Sequence, residues 1–566
     1  MKFVLAKIKL TLGFIKKNYL YFLLLVLMIP SIWDLLKPDF FPMHDDLQVF
    51  RLHQVDKCFK DFQFPCRWVP DAGFGYGYPL MQFYPPMPYY PMQILNLAGF
   101  GLFWSVKIMF ALAFLISGFG MLLLAKHFFG PLAGLLSAVL YVYSPYHSVD
   151  VYVRGAMNEA WGMAWFPFVL YFIYQVITDS KKKSNFIYLS ILLALQLTSH
   201  NVMTMVFAPT AILWACFWLI STKKFQSIYS LFFSGLLGIS LSAFFFIPVV
   251  LEQKFVHVDS MIVGYFNYLA HFADLNQLFL TKFWGYGGST WGPEDGMSFA
   301  VGHFQWILAV IASLFAIVSF KKNRQISLLV LISTFFAFSY AFLTHSKSSF
   351  FWEHLSLLQF SQFPWRLVAL SVFYFSFAAG FSVYFLQNHK LYKVLVSSLV
   401  LAIIFYNATY FRVDRPLRVT IAEKLSGLSW ENQVTGGIFD YLPRSAQKPP
   451  GSPAPSFPWF IEGNGGITDY QKGSDWIKFN VQTVQDSSTI IIPIYDYQGI
   501  RVKVNSVMVK HTTQTELGLV TISLPQGTHA VEVKVANTPL RRFTDFVSLV
   551  SIFILIYLIK KNGTRE

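Results

Sequence analysis

The chain has 566 residues, 55% of them hydrophobic and only 13% charged. Soluble domains carry roughly 25% charged residues, so this composition, with a mean hydropathy of +0.48, excludes an ordinary soluble enzyme and indicates a polytopic membrane protein. The net charge of +15 does not point to nucleic acid, because the basic residues sit in short clusters between apolar runs, where topology places them.

A bilayer-crossing helix needs about 20 apolar residues, and runs of that kind predict about twelve spans. They lie near 19–36, 104–125, 131–147, 159–178, 186–199, 202–220, 226–250, 304–320, 326–343, 367–386, 392–408 and 544–559. The basic start (Lys2, Lys7, Lys9, Lys16, Lys17) precedes a long apolar run without a small-residue cleavage site, which reads as a retained span. Those lysines share one predicted side with Lys126, Lys181 to Lys183, Lys223, Lys224, Lys321, Lys322, Arg324, Lys390, Lys393, Lys560 and Lys561. By the positive-inside rule that side is cytoplasmic, with both termini inside. The expected organisation is a multi-span membrane domain over 1–411, an outward β-rich domain over 412–542, and a last span with a cytoplasmic tail over 543–566.

The first outer loop, 37–103, carries the most suggestive chemistry. It opens with adjacent carboxylates, Asp45 and Asp46. Such neighbours repel, which raises one pKa or invites a divalent cation such as Mg2+ or Mn2+. Either outcome suits a group that accepts a proton from a hydroxyl or holds a metal on a phosphate. The plain alternative is an Asp cap on a helix starting at DDLQVFRLHQV. Cys58 and Cys66 share the loop and could pair, whereas Cys216 falls in a predicted span. The following Gly73–Pro91 string, GFGYGYPLMQFYPPMPYYP, is too rich in Gly and Pro for a helix. Tyr76, Tyr78 and Tyr84 within it could stack on sugar rings or sit in an interfacial aromatic belt.

Further along, VDVYVRGAMNEAW sets Arg154 and Glu159 at the outer ends of consecutive spans. Arg154 could clamp a phosphate bidentately, with Glu159 in acid–base work, or the two could form a structural ion pair at the rim. His200 in SHN and Arg366 in QFPWRL stand at other outer span ends, as phosphate contacts or as structural and interfacial residues. The segment Lys282–His303 offers Trp284 and Asp295 in a loop able to close over an acceptor. The tail then changes period: Asp475–Gln482, Ser488–Tyr495, Ile500–Val509, Gly518–Leu524 and His529–Ala536 read as strands of a small antiparallel sandwich. The apolar cores of the spans hold no Asp or Glu, which argues against an ion-coupled transporter. There is no metal-ligand spacing, nucleophile elbow or Walker loop, so an outward enzyme would need a donor already activated on the outer leaflet.

The strings MHDDLQVFRLHQV, FPCRWVPDAGFGYGYPLMQFYPPMPYY, YVRGAMNEAW, SHN, FWGYGGSTWGPEDGMSF and FPWR resemble the bacterial integral-membrane family labelled 6-pyruvoyl-tetrahydropterin synthase-related. The soluble zinc enzymes that lend the label their name have a three-histidine site with no counterpart here. The plan is similar to the GT-C glycosyltransferases, and IPIYDYQGIRVKVNSVMV with LPQGTHAVEVKV resembles the ends of YfhO-type members of that superfamily. The resemblance implies a bacterial plasma-membrane enzyme that moves a sugar from a polyprenyl-phosphate donor to an envelope glycan, lipid or protein on the outer face. It carries the family's base or metal ligand onto Asp45 or Asp46. The alternatives are a lipid or polysaccharide flippase and a non-catalytic envelope-assembly scaffold.

Overall fold

The computed structural model describes residues 18–180, 182–292, 294–436 and 441–563; the N-terminal lysines up to Lys17, and Lys181, lie outside the described residues. Among these, eight helices are long and apolar enough to cross a membrane: Asn18–Leu36, Tyr89–Phe129, Met157–Thr178, Asn201–Thr222, Arg324–Leu343, Pro364–Leu386, Tyr392–Tyr410 and Pro539–Asn562. A ninth candidate, Ser227–Leu241 followed by Ala243–Phe255, is bent by 82°. The remaining predicted spans are real helices but short ones, Pro131–Val142, Lys183–Ser199 and His303–Ser319. One cause is visible at Gly130, whose φ of 90° ends the helix Gly101–Phe129, while Pro131 at the next first turn starts a separate one. The protein is thus a mainly helical, polytopic membrane protein with a small C-terminal β domain.

The chain folds as two compact units, and one of the points where it passes from one to the other falls between Asp45 and Asp46. The first comprises Met1–Asp45, Lys107–Gly235 and Tyr265–Arg418. Its central element is the span Pro364–Leu386, whose apolar window is 94% buried. Aromatic stacking fills the surroundings, as where the Phe166 and Phe207 rings lie 4.1 Å apart. Between the short helix Pro131–Val142 and the span Met157–Thr178, Ser144 caps a turn of helix by accepting the His147 N–H. A single wide turn, Val149–Val153, then leads to Arg154. Gly155 makes this corner possible: its φ is +64°, and a Cβ there would stand 2.3 Å from Met43 Sδ.

The second unit comprises Asp46–Val106, Leu236–Gly264 and Val419–Glu566. The helix Gln48–Lys60 opens its outer loop, and Cys58 is disulfide-bonded to Cys66. Asp71 receives Lys57 Nζ at 2.5 Å and Gln54 Nε2 at 2.8 Å. Burial opposes the Asp71 charge, but the Lys57 ammonium and the two hydrogen bonds outweigh it and hold its carboxyl below the usual range. Deeper in, the Arg67 guanidinium bonds both Asp545 oxygens (2.6 and 3.2 Å), Asn537 Oδ1 and the Phe244 carbonyl. Phe244 lies just past the bend at Ser242, and its N–H donates to Ser548 Oγ at 2.9 Å. Backbone groups freed by a broken apolar helix need such partners, since hydrocarbon offers none. Nearby, Glu252 accepts from Arg541 Nε (2.8 Å) and Thr538 Oγ1 (3.1 Å).

The β domain has nine strands: β1 Trp459–Glu462, β2 Gly465–Lys472, β3 Trp476–Thr483, β4 Ser488–Tyr495, β5 Ile500–Val504, β6 Val507–Val509, β7 Thr512–Thr513, β8 Leu519–Leu524 and β9 Gly527–Val535. They form two sheets, β1-β4-β8-β7 and β2-β3-β9-β5-β6. The five expected stretches are all present, and Ile500–Val509 is a hairpin. It turns at Asn505 and Ser506, both with positive φ, as a tight two-residue turn requires. β1, β2 and β7 escaped the sequence reading because they bury little, leaving no apolar alternation to detect.

Candidate functional site

The wide turn and the start of two spans bring Arg154, Glu159 and Arg366 together in the first unit, along with an unexpected fourth member, Asp150. Glu159 is 1% exposed and accepts from three donors on its two oxygens. Arg154 Nη2 lies at 2.7 Å and Arg366 Nε at 3.3 Å from Oε2, and the Tyr146 hydroxyl donates to Oε1 at 2.7 Å. Arg366 Nη1 also donates to the Ser361 carbonyl (2.9 Å) and Gln362 Oε1 (2.6 Å). The Arg154 guanidinium rests 4.4 Å above the Trp365 ring, which is stacked on Phe363 and Phe299.

Asp150 is wholly buried and bonded by one oxygen only, Oδ1, to Arg154 Nη1. Its Oδ2 is buried with no hydrogen-bond partner among the described residues. Burial pushes its carboxyl well above the usual range and the Glu159 charge adds to this; Arg154 and Arg366 pull the other way without prevailing. The sequence held one faint signal for it, the four-residue spacing from Arg154.

The other expected residues are distributed as follows. Asp45 is half-exposed, and its backbone N–H donates to the Arg154 carbonyl at 2.9 Å, which anchors it to the same corner. Asp46, in the second unit, is ion-paired with Lys424, a 4% exposed lysine beside a capping box formed by Thr420 and Glu423. His200 caps the helix Asn201–Thr222 by accepting the Met203 N–H at Nδ1 (3.0 Å), so that nitrogen carries no proton. Asp295 accepts from the Thr290 N–H and Gln277 Nε2, both at 2.8 Å, and so shapes its own loop. Trp284 packs against Tyr410 and Tyr286. In the second unit Tyr76 and Tyr78 are buried, while half-buried Tyr84 carries the Arg51 guanidinium 4.2 Å over its ring.

A divalent cation needs several oxygen ligands. Asp46 is engaged by Lys424, and among the described residues no three His, Cys, Asp or Glu side chains gather as a metal site. These residues do not fit a bound cation.

Fold and site together define a multi-pass membrane protein with a buried charge cluster at the ends of its spans and a β domain at its C-terminus. Residues 81–363 match the model of the family described as "6-pyruvoyl-tetrahydropterin synthase related domain; membrane protein", and the chain belongs to that family. An uncharacterized protein of Lactococcus lactis subsp. cremoris (strain MG1363) is 24% identical over 330 residues, 56% of this chain and 49% of the relative. The chain therefore matches about half the length of that relative. Among solved structures, ArnT from Cupriavidus metallidurans bound to undecaprenyl phosphate is similar with a TM-score of 0.41 and 13% identity, over 69% of this chain and 64% of ArnT. The archaeal oligosaccharyltransferase AglB from Archaeoglobus fulgidus, in complex with an inhibitory peptide and a dolichol-phosphate, gives 0.41 and 12%, over 71% and 57%. At these values neither likeness bears on the chemistry of the site.

Proposed function

We propose that this chain is a GT-C-like glycosyltransferase that moves a sugar from a polyprenyl-phosphate carrier to an envelope glycan, lipid or protein on the outer face of the plasma membrane. One observation carries the reading: a half-exposed carboxylate, Asp45, is tied by its backbone to Arg154, the arginine of a buried Arg154–Glu159–Arg366 cluster. In this mechanism Asp45 accepts the proton of the acceptor hydroxyl as its oxygen bonds the anomeric carbon. The sugar–phosphate bond breaks, and the phosphate leaves with its electron pair towards Arg154 and Arg366. Glu159 holds the two guanidiniums in position, and His200 stands at another outer span end. Trp284 and Asp295 would contact sugar or acceptor. The Cys58–Cys66 disulfide supports an outward, oxidising exposure of the first loop.

The test supplies detergent-purified protein with polyprenyl-phosphate-linked sugars and follows the release of polyprenyl phosphate by mass spectrometry. Asp45→Asn should lower turnover at least about 100-fold, the usual worth of a general base, while its melting curve stays unchanged. Equal turnover in the two chains would remove Asp45 as the base. No consumption of any such donor by the wild type would turn attention to a flippase or scaffold.

A further inference from the structure

The two arginines of the cluster face two carboxylates, so if all four are charged the site is neutral and has no net attraction for an anion. The hydrogen bonds divide the carboxylates unequally. Glu159 has donors on both oxygens, Arg154 and Arg366 on one and Tyr146 on the other, which suits an ionised group. Asp150 has one donor on one oxygen, and its second oxygen is buried and bare among the described residues. An ionised carboxylate in that setting is costly, whereas a proton on the bare oxygen removes the charge.

We propose that Asp150 is held as the neutral acid, so that the cluster presents one net positive charge to a phosphate-bearing ligand. This rests on the donor-phosphate reading given above and assigns Asp150 as the positioning residue that sets the charge of that site. The groups around it are consistent with this state. Tyr141 and Tyr146 face it from the preceding helices, Glu159 from the next span, and Arg154 and Arg366 are the cations that act on it. The Glu159 charge disfavours a second negative charge beside it. Burial and the Glu159 charge raise the Asp150 carboxyl in the same sense. With Asp150 neutral, Arg154 need satisfy only one carboxylate, and its remaining charge is available to an incoming phosphate.

The experiment has two readouts on the full chain. Infrared spectroscopy at neutral pH should show the carbonyl stretch of a protonated carboxylic acid, shifted when the wild type is grown with carboxyl-13C aspartate and absent in Asp150→Asn. The label assigns the band to an aspartic acid, and its loss in a folded Asp150→Asn assigns it to Asp150. Undecaprenyl phosphate binding is then titrated from pH 6 to 9. Asp150→Asn should bind within about twofold of wild type at neutral pH. Once the pH passes the Asp150 titration the wild type should lose affinity by about tenfold per unit, and the variant should not. An absent aspartic acid band, or a variant that binds tenfold tighter than wild type at neutral pH, would overturn the proposal. No binding by either chain would remove the donor reading and leave the infrared band to decide the state of Asp150.

Discussion

Each unit buries ion pairs between arginine and carboxylate, and the two sets are built differently. In the second unit Arg67 meets Asp545, and Arg541 meets Glu252, and every carboxylate oxygen has a partner. In the first unit Arg154 is shared between Asp150 and Glu159, Arg366 shares Glu159, and one Asp150 oxygen is left bare among the described residues. The first pattern is that of a staple holding a broken helix to the last span. In the second the unpartnered atom is a carboxylate oxygen, whereas among the described residues the staple leaves a guanidinium nitrogen, Arg541 Nη2, without a partner, and that difference fits the anion-binding role proposed above.

Single substitutions separate these patterns most strongly. Arg67→Ala strands the Asp545 charge; removing one partner of a fully buried pair costs about 3–5 kcal/mol, and because Asp545 is a quarter exposed thermal unfolding should show a loss near the lower end of that range. Glu159→Gln should cost a similar amount, because it leaves Arg154 and Arg366 facing each other. Asp150→Asn, replacing a neutral acid by a neutral amide, should cost less than about 1 kcal/mol. A loss for Asp150→Asn as large as that for Arg67→Ala would make the two units alike.

A smaller effect belongs to the second unit alone. Replacing Cys58 and Cys66 by serine removes a short loop closure, worth about 2–3 kcal/mol on the chain-entropy account. The denaturation midpoint should fall for the serine variant, and adding reductant should then change nothing more. Smallest is the acid limb. The Asp71 carboxyl is depressed in the folded chain, so its contribution is present above the unfolded carboxylate pKa and is lost as pH falls through the folded value. Lys57→Met should flatten stability against pH in that acid range; a pair this exposed is worth at most about 1 kcal/mol.

Much of this was legible in one dimension. Apolar runs marked every span region, and period-two runs such as Ile500–Val504 marked the strands that bury one face. The reading of about twelve spans counted Pro131–Val142 and His303–Ser319 as full crossings, although these helices are short. Their neighbouring residues are apolar enough to extend a hydropathy window beyond the helix itself. Arg154, Glu159 and Arg366 were chosen because charges at span ends are conspicuous. Asp150 was not, since only its four-residue spacing from Arg154 marked it among apolar neighbours.

The sequence by itself determined the membrane class, the β-rich tail and the family, because these follow from local composition and from strings of neighbouring residues. Only tertiary structure decided the partners. Glu159 meets Arg366 across 207 residues, Asp46 meets Lys424 across 378, and Arg67 meets Asp545 across 478. Hydropathy sets where a chain enters a membrane, but which charged ends then face one another depends on how the helices pack, and no local pattern records that.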